Sequence, residues 1–123
     1  MDKYINFSAE KPIYMQIAER LCDEIVSGCY ADDEHTPSVR EYSVLLEVNV
    51  NTTVKAYEQL VQSGIVYQKR GMGYFVTKGA REQILKVRRK DFLEHQMPEF
   101  ISRMRQLGVG VEEFNKCYNE TQK

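Results

Sequence analysis

A mostly α-helical chain with one small β-hairpin, arranged as a winged helix-turn-helix followed by a short helical appendage, is the fold class this sequence predicts. Three features point there. Ser38, after Pro37 and three residues before Glu41, opens a short amphipathic segment; a second amphipathic segment begins at Asn49; and two runs of strand formers flank the tip Gly71, Met72, Gly73. Many domains hold two amphipathic helices and a hairpin without touching DNA. The order and spacing of all three features carry the prediction.

Residues 1 to 10 read as a flexible or loosely docked lead-in. From Pro12, the positions Ile13, Ile17, Leu21 and Ile25, flanked by Ala18 and Cys22, form one apolar helix face that Gly28 ends. Pro12 suits the first turn, where its missing amide costs nothing. Tyr14 reads as a core or subunit-contact residue, and a polar loop from Ala31 to Thr36 follows. The capping box then starts a helix at about Val39, with Val39, Tyr42, Leu45 and Leu46 as its inward stripe and Val48 closing the turn.

Asn49 caps the next helix, whose inward face is Val54, Tyr57, Leu60 and Val61, up to the left-handed exit at Gly64. Asn49, Asn51, Thr52 and Lys55 face outward at its start. Short polar groups beside a cation suit base edges and phosphates in a major groove, and a helix N-terminus favours phosphate. The blander reading is a cap followed by a solvated face. After Gly64 the segment Ile65 to Arg70 forms one strand and Tyr74 to Thr77 its partner, with Lys69 and Arg70 beside the glycine tip, within reach of a DNA backbone or minor groove.

Gly79 marks the end of the winged domain, giving domains at 1–79 and 80–123. Beyond it, Ile84, Leu85, Phe92, Leu93, Met97, Phe100, Ile101, Met104 and Leu107 keep one side of a helix apolar, and Pro98 should kink or split that helix. Gly108 and Gly110 end it before a last short helix carrying Val111, Phe114, Cys117 and Tyr118. So small an appendage exposes too much apolar surface to stand alone. A second copy meeting Leu85, Phe92, Leu93, Met97, Phe100, Ile101, Met104 and Leu107 is the economical partner; the alternative is packing back on the winged domain. Arg88, Arg89 and Lys90 read as a solvated face in preference to a phosphate footprint.

Charge and chemistry narrow the function. The chain has 123 residues and net charge −1, and residues 1–79 hold 8 lysines and arginines against 11 aspartates and glutamates, while residues 80–123 hold 9 against 7. A basic footprint over the whole domain is therefore absent, and cations must be focused at Arg40, Lys55, Lys69 and Arg70. No nucleophile constellation, phosphate loop or metal motif is present, and His35 and His95 are isolated, so neither an enzyme nor a cofactor is expected. No run approaches the roughly 20 apolar residues of a membrane span, and no secretory signal opens the chain, which places it in the cytoplasm. Cys22, Cys29 and Cys117 read as reduced thiols.

The segments PIYMQIAERL at 12–21, PSVRE at 37–41, VNVNT at 48–52, KAYEQL at 55–60, SGIVY at 63–67 and RGMGYFV at 70–76 resemble the amino-terminal DNA-binding domain of the GntR family of bacterial transcriptional regulators, especially its YtrA-type branch. The resemblance implies that Arg40, Asn49, Asn51, Thr52, Lys55, Gly71 and Gly73 lie against DNA. Ser38, Lys69 and Arg70 complete the expected set. It also implies a homodimer formed by the helical appendage, and a repressor acting on double-stranded operator DNA with two-fold symmetry, with half-sites about 34 Å apart or a multiple. The chain ends too soon after the wing for the large effector domains of other branches, so a small-molecule effector stays unassigned.

Three positions depart from the family pattern. Thr36 stands where leucine is usual, Glu47 where glycine often sits in the turn, and Val50 where many members carry arginine or proline. Glu47 then calls for a strained or altered turn. The acidic winged domain and Val50 motivate a rival reading, a protein-interaction module without sequence-specific DNA binding. A third is a thiol sensor.

Overall fold

The computed structural model describes Phe7 and residues 10–121, so the expected lead-in lies outside the described residues except for Phe7, which packs against the core, and Glu10. The elements in order are α1 (Ile13–Val26), α2 (Val39–Leu46), α3 (Val50–Gln62), β1 (Val66–Lys69), β2 (Gly73–Val76), α4 (Ala80–Asp91), a π-helical turn (Phe92–Gln96), α5 (Met97–Gln106) and α6 (Val111–Glu120). They fall into two compact units, residues 1–85 and 86–123. The first extends six residues past the boundary expected at Gly79, because Ala80 and Ile84 on the first turns of α4 are buried in its core.

In that unit α1 contributes Ile17, Ala18, Leu21 and Ile25, α2 Tyr42 and Leu46, α3 Ala56, Tyr57 and Leu60, and the hairpin Val66 and Val76. Two expected stripes are shifted. Leu45 is 58% exposed while Ser43 turns inward, its hydroxyl satisfied by the Val39 carbonyl at 2.7 Å. Val61 is 39% exposed while Thr53 and Ala56 are fully buried. Pro12 lies one residue before α1, its carbonyl accepting from the amides of Met15 and Gln16.

A polar hub sits at the edge of this core. Glu24 Oε1 accepts from the phenols of Tyr42 at 3.0 Å and Tyr30 at 3.3 Å, and Arg20 Nε pairs with Glu24 Oε2 at 3.4 Å. Tyr57 donates to the Pro37 carbonyl at 2.7 Å and meets Tyr74 edge-on. Burial, then the Glu24 charge, pushes the Tyr42 phenol far above the usual tyrosine range and Tyr30 up to about 12. Both phenols therefore stay neutral donors.

Four helix ends share one closure. After α1, α3 and α5, the amides of Cys29, Ile65 and Val109 bond carbonyls five residues back, around left-handed Gly28, Gly64 and Gly108. After α2 the amide of Val48 bonds the Ser43 carbonyl in the same way, but the left-handed residue is Glu47, at φ 56° and ψ 48°. The turn thus keeps its geometry with a strained residue in it.

The wing is an antiparallel pair with Val66 opposite Val76 and Lys69 opposite Gly73. The segment expected as a polar loop adds a third edge to it. Asp33 and Thr36 donate to the carbonyls of Val76 and Tyr74, Val76 donates to Glu34, and His35 pairs with Phe75. Thr36 is buried, with its hydroxyl on the carbonyls of Pro37 and Tyr74.

In the second unit, Pro98 lies in the first turn of α5, and the turn before it widens to the π form, with the Met97 amide bonded to the Phe92 carbonyl. The backbone stays helical at Asp91, Gln96 and Met97. The missing proline amide is thus absorbed by one wider turn. Phe100 of α5 meets Phe114 of α6 edge-on, and Phe114 stacks on Tyr118. Cys22, Cys29 and Cys117 carry thiols and form no disulfide.

Replacing Glu47 by glycine relieves the left-handed strain and should raise stability by about 1 kcal/mol; a urea midpoint that rises with an unchanged m-value is the check. Tyr42→Phe strips Glu24 of a donor and should cost about 1.5–3 kcal/mol. Because the folded Tyr42 pKa lies above its unfolded value, its stabilisation is complete below pH ~10 and is lost as pH rises beyond that. Alkaline unfolding followed by circular dichroism should therefore be less pH-steep in Tyr42→Phe than in the parent.

Candidate nucleic-acid interface

The start of α2 is organised by a completed capping box. Ser38 Oγ accepts from the Glu41 amide and Glu41 Oε1 from the Ser38 amide, both at 3.0 Å. These hydrogen bonds to Ser38 hold the Glu41 carboxyl below its usual range, so it is ionised near neutrality and complements the helix dipole. Ser38 is thereby occupied in shaping the helix end, and Arg40 two residues on is exposed.

Packing of α3 against α1 and α2 fixes which of its residues face out. Thr53, Ala56, Tyr57 and Leu60 are buried, leaving Asn51 and Lys55 exposed on the opposite side and Thr52 half-buried at its edge. Asn49 is the cap: its Oδ1 accepts from the Asn51 amide at 2.8 Å and its carbonyl from the amides of Thr52 and Thr53. With Oδ1 of Asn49 committed to the cap, Asn51 is the exposed side-chain amide inside the first turn of α3. Glu58, exposed one turn beyond Lys55, limits the cationic stretch to the first turns of α3.

Two of the expected cations rest on aromatic rings. Lys55 Nζ lies 4.2 Å from the centroid of Tyr14 of α1, and Lys69 Nζ 4.9 Å from that of Phe75 of β2. A ring face attracts an ammonium and narrows the arc a flexible lysine sweeps. Arg70 and Gly71 are exposed at the wing tip, where the Met72 amide closes the turn on the Lys69 carbonyl.

His35 joins the wing to the loop that precedes α2. Its Nε2 lies 2.8 Å from the Met72 carbonyl, its Nδ1 faces the carbonyl of Thr36, and its ring meets Phe75 edge-on. Gly73 has φ 101°, and a Cβ there would fall 2.9 Å from His35 Nε2. Glycine is required at this point by conformation and by close approach together. Sequence reasoning found Gly73 but missed His35, Tyr14 and Phe75 as supports, because each acts on a residue of another segment with no local pattern to announce it.

The appendage carries the residues expected at a subunit contact. Leu85, Phe92, Leu93, Met97, Phe100, Ile101 and Leu107 are exposed and Met104 is half-buried, with Phe100 at 54% and Leu107 at 66%. Among the described residues no cluster of histidine, cysteine and carboxylate side chains is arranged to hold a metal, and no helix is long and apolar enough to cross a membrane.

Residues 13–76 match the family described as bacterial regulatory proteins, gntR family. The chain is 28% identical to the HTH-type transcriptional repressor YtrA of Bacillus subtilis, over 89% of this chain and 83% of that protein. A crystal structure of a transcriptional regulator of the GntR family from Bacteroides thetaiotaomicron superposes with TM-score 0.75 at 40% identity, covering 89% of this chain and 95% of that one. The structure of AraR(DBD) in complex with operator ORX1 superposes with TM-score 0.55 at 27% identity, covering 60% and 94%.

If Tyr14 steadies Lys55, Tyr14→Leu should weaken binding to duplex DNA about two- to fivefold, the value of an exposed cation–π pair. Tyr14→Phe, which keeps the ring, should bind within error of the parent in a fluorescence anisotropy titration.

Proposed function

The chain belongs to the gntR family of bacterial regulatory proteins, as a transcriptional regulator with a DNA-binding winged helix, and we propose that it acts in the cytoplasm as a homodimeric repressor occupying a two-fold symmetric operator. The exposed face at the start of α3 carries the DNA-reading part of this proposal. Asn51 and Thr52 supply donors and acceptors for base edges, Lys55 and Arg40 meet phosphates, and the wing tip from Lys69 to Gly73 lies along the flanking backbone or minor groove. Ser38 and Asn49 shape the helix ends that point at the phosphates.

The dimer is supported by the exposed row Phe92, Leu93, Met97, Phe100, Ile101 and Leu107, more apolar surface than a monomeric appendage ordinarily leaves in water. The winged region reads DNA and the helical region beyond it joins two copies. A two-fold axis then presents two copies of α3 to half-sites centred about 34 Å apart or a multiple of that. Repression follows from occupancy of a promoter-proximal site, and the repressor named YtrA supports that sign.

Selection of bound duplexes from a random pool should enrich a two-fold symmetric site. Arg40→Ala with Lys55→Ala should reduce the slope of log affinity against log salt by about 1 for each phosphate that is no longer neutralised, with the dimer intact by sedimentation. Phe100→Asp with Ile101→Asp should give a folded monomer that binds the full site much more weakly. Failure to enrich any site, from folded dimer, would shift the reading to a protein-interaction module.

A further inference from the structure

We propose that Val50 reads the 5-methyl group of one thymine in each operator half-site, an inference that rests on the DNA-reading role of α3 given above. An α-helix advances about 100° per residue, so with Thr53, Ala56, Tyr57 and Leu60 buried, Asn51 and Lys55 point outward and Val50 and Val54 run along one edge of that outward face. Val54 is half-buried; Val50, at the first helical position, is 45% exposed. It stands between the capping Asn49 and the outward Asn51, with half-buried Val54 one turn on as its apolar neighbour along the edge.

A valine in this place has neither donor nor acceptor for a base edge. The apolar group a major groove offers is the C5-methyl of thymine, and an isopropyl group is suited to cover it. Two features fix Val50 in advance of binding. Branching at Cβ leaves it essentially one rotamer in a helix, and the bond from the Asn51 amide to Asn49 Oδ1 at 2.8 Å fixes the turn that carries it. The adjacent Asn51 side-chain amide is of the type that pairs with adenine. Val50 and Asn51 together therefore select a thymine beside an adenine, and Val50 acts as a specificity residue that contributes nothing to phosphate binding.

The test uses the full-length protein and the operator recovered by selection. Each thymine is replaced in turn by deoxyuridine, which removes only the methyl group, and affinity is measured for the parent and for Val50→Ala. One thymine per half-site should show about a fourfold loss for the parent, the effect of one buried methyl group, and none for Val50→Ala. Equal losses in both proteins, or no thymine at which the parent responds, would overturn the assignment while leaving operator recognition standing. Absence of any enriched operator would overturn both.

Discussion

The burial of one side of α3 is the constraint on which the proposed nucleic-acid face depends. Thr53, Ala56, Tyr57 and Leu60 leave it only one rotation about its own axis, and that rotation presents Asn51 and Lys55 to solvent. Tyr57 takes part through both its hydroxyl and its ring. It is fully buried, its hydroxyl reaches the Pro37 carbonyl just before α2, and its ring meets Tyr42 of α2 and Tyr74 of the wing. One side chain thereby sets the spacing among the two helices and the hairpin. A buried phenol lacking that acceptor would lose a hydrogen bond in a place where water cannot replace it.

The wing is held by a second set of interactions in addition to the Tyr57 contact from α3. A two-stranded ribbon is marginal in water by itself. Here the backbone of residues 33–36 supplies a third edge, and His35 fills the space that Gly73 leaves open. The glycine tip is consequently tied to the segment that leads into α2, so wing and capping box share one support.

In a chain of net charge −1, several carboxylates and the exposed lysines of α3 and the wing are held by different partners. Asp33 accepts from the Tyr67 phenol, Asp32 from the Gly79 amide, Glu34 from the Ala31 amide and Glu24 from two phenols. Each of these carboxylates thus accepts hydrogen bonds within the fold. Lys55 and Lys69 meet aromatic rings instead of carboxylates, which keeps their full charge available to an anionic partner.

The order of helices and strands, the capping box at Ser38 and Glu41, the cap at Asn49 and the glycine tip were legible in the sequence because each is decided within four or five residues by capping and turn chemistry. So was the strain at Glu47, because left-handed backbone disfavours any residue with a Cβ. The inward faces of α2 and α3 were legible only in part, since Leu45 and Val61 are as apolar as their buried neighbours and yet lie exposed. The widened turn before Pro98 follows from one missing amide, but whether the chain would break, kink or widen there depended on how the preceding carbonyls could be satisfied. Tertiary structure alone decided the third edge of the wing, the place of His35 beneath Gly73 and the rings beneath Lys55 and Lys69. These pairings join separate segments of the chain, and packing chooses them without leaving any period in the sequence.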